Sequence, residues 1–151
     1  MTMLKRYRLG FDVWGLTLFL LVMAPNLIWF AVPAPNDVLR VESATPVVDM
    51  VASVLQVMTI ACLCFVINKG RDRLRFSLLV AASLFCIVAY YMGWAVYYSG
   101  IANAWVILLL TIPPCAAFIL FAADRKNWPA VVLASGFAVC HLIFAIVNFI
   151  I

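Results

Sequence analysis

The sequence predicts an all-α integral membrane bundle of five transmembrane helices, N-terminus inside and C-terminus outside, and three observations carry that prediction. Of 151 residues, 68% are apolar and only 11% charged, far too little polar surface to coat a water-soluble globule. Five windows, 11–32, 47–67, 76–98, 102–123 and 128–150, are each long enough, at roughly 20 residues, to cross a hydrocarbon core of about 30 Å. With the N-terminus in the cytoplasm, Lys5, Arg6, Arg8, Lys69, Arg71, Arg73, Arg75, Arg125 and Lys126 fall inside, nine of the ten basic residues, and only Arg40 falls outside. The spans leave no room for a soluble domain, so residues 1–151 form a single polytopic domain, multi-pass in the cytoplasmic membrane. The net charge of +4 reflects this topology and contact with anionic lipid rather than nucleic-acid binding. All five cysteines sit within apolar runs, where disulfides are not expected.

The basic tail and the run behind it resemble a signal peptide only superficially. Pro35 follows the cleavage-like Ala31-Val32-Pro33-Ala34, and the apolar part is as long as a full span. The run is read as an uncleaved first helix. Pro25 lacks a backbone donor and leaves the Leu21 carbonyl unpartnered, so the helix is expected to kink or end there. In the outer loop 33–45, Asn36 is expected to cap a short turn with Val38, Leu39 and Val41 at the interface and Asp37, Arg40 and Glu42 in water; an irregular loop is the equal alternative.

Thr45-Pro46 starts the second span, hydroxyl at the cap and proline in the first turn. Along it Asp49, Ala52, Gln56 and Thr59 share one face, and a polar stripe in lipid must face other helices. In the third span Trp94, Tyr97 and Tyr98 suit an interfacial aromatic belt, whereas Tyr90 and Tyr91 lie deeper, where a phenol needs a partner. Ala82, Cys86, Ala89 and Gly93 make a small-residue stripe for close helix contact. Ser99-Gly100-Ile101 predicts a tight turn between antiparallel third and fourth spans. Pro113-Pro114 frees the carbonyls of Leu109 and Leu110 and predicts a kink in the fourth span. Asn127 and Pro129 open the last helix, whose Ala134, Ala138, His141, Ala145 and Asn148 recur on one small and polar face.

Counted along the helices, Asn26, Gln56, Tyr90, Pro113-Pro114 and His141 reach a common depth near the midplane or slightly outside it, with Tyr91 beside them. Hydrogen-bonding side chains are costly in lipid, so this coincidence predicts one shared polar pocket in the outer half of the bundle. Asn26, Gln56, Tyr90, Tyr91 and His141 are the candidate ligand-binding residues, with the His141 tautomer set by Gln56, Asn26 or a tyrosine. The competing reading, given more weight, is that these groups bond one another and the freed carbonyls, gluing the helices together.

Several functions are disfavoured. All six carboxylates sit at span ends or in loops, leaving none buried for proton or sodium coupling. The chain lacks a phosphate-binding glycine loop, a Ser-His-Asp set and a His-Glu-x-x-His helix. Cys140 and His141 are adjacent and diverge by about 100° on a helix, so they do not converge on a metal with Cys86 and Cys115; no metal or cofactor is expected. Five spans do not form two equal inverted halves, which disfavours a self-contained alternating-access carrier. In architecture, five helices with an aromatic outer half resemble the tryptophan-rich sensory (translocator) proteins. Pro33-Ala34-Pro35-Asn36-Asp37 does not match that family's proline-rich first loop following a tryptophan, so no residue role is carried over.

The expected function is a small-molecule binding or permeation module for an apolar or amphipathic ligand. The alternative is a non-catalytic accessory or regulatory subunit that uses its basic loops or apolar faces to hold another membrane protein or a second copy. An enzyme ranks third.

Overall fold

The computed structural model describes residues 6–71 and 73–151; Lys5 and Asp72 lie outside them. Five helices carry the fold: α1 Val13–Ala31, α2 Pro46–Phe65, α3 Leu78–Tyr98, α4 Ala104–Asp124 and α5 Trp128–Phe149. Each begins and ends within two residues of its expected span, and each is long and apolar enough to cross a membrane. Local chemistry sets the starts. Asp12 accepts from the Trp14 and Gly15 amides, and Ser77, Asn103 and Asn127 accept from Val80, Val106 and Ala130. Thr45 is different: its hydroxyl does not cap α2 but accepts from Asn148 Nδ2 at 2.9 Å, tying α2 to the end of α5. Gly100, at φ 92°, makes the α3–α4 turn in a region that costs other residues strain.

The helices form a ring in the order α1, α2, α5, α4, α3, with the broadest contacts between α3 and α4, α2 and α5, and α4 and α5. α4 is the central member, its most apolar window 56% buried against 22% in α1, α2 and α5. The small-residue stripe has its clearest effect at Gly93, where an added Cβ would lie 3.1 Å from Leu109 Cβ. α1 packs less extensively. Its closest approach is near its start, where a Cβ on Gly15 would fall 2.5 Å from the Leu63 carbonyl. α1 and α4 both run through their prolines as single helices, so α1 does not end early at Pro25.

The sequence pattern did not anticipate the arrangement at the basic end. Residues expected as a tail and as the end of the second span pair instead as an antiparallel ribbon, β1 Tyr7–Leu9 with β2 Val66–Asn68. The helix stops at Phe65 because the next carbonyls and amides join this ladder. The ribbon clasps the α4–α5 turn: Asn68 Nδ2 and the Tyr7 hydroxyl donate to the Lys126 carbonyl, and Asn127 Nδ2 donates to the carbonyls of Cys62 and Val66. Arg125 Nη2 and Nε meet Asp12 Oδ2 at 2.7 and 3.0 Å, both residues buried. Asp12 thus caps α1 with one oxygen and anchors the α4–α5 turn with the other.

At the opposite end, the loop between α1 and α2 arcs over the ring as a short 3-10 turn, Val38–Arg40. Its organiser is Asp37, which packs inward instead of facing water. It accepts from Trp29 Nε1 at 2.9 Å, the Tyr97 hydroxyl at 2.8 Å and Arg40 Nε at 2.7 Å. Arg40 also stacks over Trp29, 4.7 Å from the ring centroid, and donates to the Trp29 carbonyl. Burial pushes the Asp37 carboxyl up, but these donors and the Ala34 amide outweigh it and hold it below its ordinary value of 3.8.

Candidate functional site

The ring encloses a cavity of about 480 Å³ with walls from all five helices and a roof that includes Leu39. α1 supplies Asn26, Trp29 and Phe30, α2 supplies Asp49, Ser53 and Gln56, α3 Tyr90 and Trp94, α4 Leu110, Pro114 and Phe118, and α5 Phe137, His141 and Phe144. Ring order explains this convergence. α1 is held near its start against α2 and drawn toward α3 further along, which leaves space between the far halves of α1 and α2. Phe30, Asp49 and Ser53 line the cavity yet are exposed, so the cavity opens at that gap.

Of the five candidates, Asn26, Gln56, Tyr90 and His141 lie on this wall and Tyr91 does not. Tyr91 sits on the exterior of α3, and its hydroxyl donates to the Leu21 carbonyl at 2.8 Å. Asn26 and Tyr90 are committed to structure. Asn26 Nδ2 donates to the Tyr90 hydroxyl at 2.8 Å and the Val22 carbonyl at 3.0 Å, and Tyr90 donates to that same carbonyl at 3.2 Å. Neither sets the His141 tautomer. The imidazole instead stacks on Phe137, 5.0 Å between centroids and 17° between planes, with Phe144 stacked beyond it.

Among the described residues, neither Gln56 nor His141 forms a hydrogen bond with protein. Trp94 Nε1 is buried and likewise has no acceptor in hydrogen-bond geometry, although the Tyr90 hydroxyl is close by. Pro114 leaves the Leu110 carbonyl without its helical donor, and both residues line the cavity, so that acceptor lies on the same wall. The cavity thus joins a mainly apolar, ring-lined interior to a few unpaired donors and acceptors, the usual make-up of a small-molecule site. Among the described residues no group of three His, Cys, Asp or Glu side chains is placed to hold a metal ion.

Four contributors, Asp49, Phe137, Phe144 and Trp29, were not singled out as site residues. Asp49 precedes Gln56 by seven residues on the same stripe, and Phe137, His141 and Phe144 follow the four-then-three spacing of one helical face; both signals were in the sequence. Trp29 had none, because its place depends on the fold of the loop.

The fold defines a five-helix bundle of membrane-spanning dimensions around an interior cavity open on one side. No protein-family model matches the chain, and neither does any curated protein or solved structure. The likeness in architecture to the translocator proteins therefore assigns nothing.

Proposed function

We propose that the protein is a multi-pass cytoplasmic-membrane protein that binds a small amphipathic molecule in this cavity. The single observation behind the proposal is the pair Gln56 and His141, on the neighbouring helices α2 and α5 and without a hydrogen-bond partner among the described residues, on the wall of a ring-lined space. Both side chains are half-buried with their polar atoms open to the cavity, where a ligand's polar group can bond them; in a dry cavity such groups left without partners cost about 1–3 kcal/mol each. The apolar body would lie against Phe118, Phe137 and Phe144. With the N-terminus inside, as the nine cations favour, the gap between α1 and α2 faces the outer half of the bilayer, and the ligand enters sideways from lipid or from outside.

The test is a thermal-shift panel of apolar and amphipathic compounds on protein in phosphatidylcholine nanodiscs. Support is stabilisation by at least one class that Gln56→Ala and His141→Ala each reduce. Stabilisation by none, or stabilisation that both variants leave intact, overturns the proposal.

A further inference from the structure

Asp49 is the only carboxylate lining the cavity, and neither lysine nor arginine lines it among the described residues. Among them its side chain forms no salt bridge or hydrogen bond, and the titratable group within its electrostatic reach on the same wall is the His141 imidazole. A helix N-terminus favours an acid in the first turn of α2, but that does not explain its place at the cavity mouth on the Gln56 stripe. Around the mouth stand Phe30 and Phe144, whose ring faces attract cations, and Trp29, whose ring already carries the Arg40 guanidinium. Charge along the whole chain has the same sense. Among the described residues the basic end holds eight basic and two acidic residues, whereas the mouth end holds Asp37, Glu42 and Asp49 against Arg40 alone, and Arg40 is engaged by Asp37.

Resting on the binding role proposed above, we infer that the cavity selects a monocationic amphiphile: an amine with one apolar chain or ring system. Its ammonium sits at Asp49 between the aromatic faces, and its body extends inward past Gln56 toward His141. A carboxylate of the same shape meets like charge at the mouth and no cation inside. A neutral alcohol finds the apolar interior but not the ion pair.

The experiment uses the full chain in phosphatidylcholine nanodiscs, titrated with 4-phenylbutylamine, 4-phenylbutanol and 4-phenylbutyrate while the fluorescence of Trp29 and Trp94 on the cavity wall is followed. The amine is expected to bind about fivefold or more tighter than the alcohol, and the carboxylate weakest. Asp49→Asn should bring the amine-to-alcohol affinity ratio down to about one, and Asp49→Glu should keep the preference. Ser53→Trp, at an exposed mouth position, should weaken all binding. If amine and alcohol bind equally and Ser53→Trp weakens both, the cavity still binds ligand but the charge selection is wrong. If nothing binds, or if Ser53→Trp leaves amine binding intact, both proposals fail.

Discussion

The Tyr91 hydroxyl donates to the Leu21 carbonyl at 2.8 Å, the acceptor that Pro25 strips of its helical partner. A side chain on α3 thereby repairs a defect in α1. Tyr91→Phe should cost about 1 kcal/mol. In Pro25→Ala, where a backbone amide returns to Leu21, the same change should cost close to nothing. A double-mutant cycle by thermal unfolding in detergent reads the difference, and equal costs in both backgrounds would show that the bond does not depend on the proline.

The buried Arg125–Asp12 pair joins the start of α1 to the α4–α5 turn. Removing Arg125 leaves the buried Asp12 carboxylate without its cation, so Arg125→Met should cost about 3–5 kcal/mol, and Asp12→Asn should also destabilise, by weakening both the pair and the α1 cap. The double variant should be less damaged than the sum of the two. Unfolding in mixed micelles measures this. Additive losses would mean that the two residues act independently.

Helix boundaries, and the faces that bring Asn26, Gln56, Tyr90 and His141 to one cavity, were legible because hydropathy and helical period act locally along the chain. The ribbon of Tyr7–Leu9 with Val66–Asn68 was not, since three-residue strands have no distinctive pattern and depend on a partner 57 or more positions away. Asp37 read as a solvated loop acid because its donors, Trp29 and Tyr97, come from two different helices. Tyr90 and Tyr91 looked equivalent in depth. On a helix, adjacent residues diverge by about 100°, so only one could face the cavity.

Asp37 makes the loop acid-sensitive. Its carboxyl is held below the ordinary value of 3.8 in the fold, so the stabilisation is fully present above that value and is lost as pH falls through the lower folded value. Trp29 fluorescence should therefore change on acidification below the ordinary carboxylate range, as its indole loses its acceptor. Asp37→Asn should abolish that transition and show the loosened signal at neutral pH. A transition that persists in the variant would assign it to another group.

Topology makes a separate prediction. In a background with the native cysteines replaced, Glu42→Cys should react with a membrane-impermeant maleimide in intact cells, and Lys69→Cys only after permeabilisation. Labelling of Lys69→Cys from outside would reverse the orientation and place the cavity mouth toward the cytoplasm.

The unpaired state of Gln56 and His141 separates a binding site from polar glue. Were they holding helices together, replacing them would destabilise the bundle. With no protein partner for either among the described residues, apolar replacements of similar shape remove a desolvation penalty. Gln56→Leu, and His141→Phe within the stack of Phe137 and Phe144, should each raise the stability of the ligand-free protein by about 0.5–2 kcal/mol. The same variants should lose ligand-induced stabilisation. Thermal unfolding with and without ligand reads both effects, and only a site whose polarity exists for something other than the fold gives opposite signs. A loss of ligand-free stability in both variants would return Gln56 and His141 to a structural role.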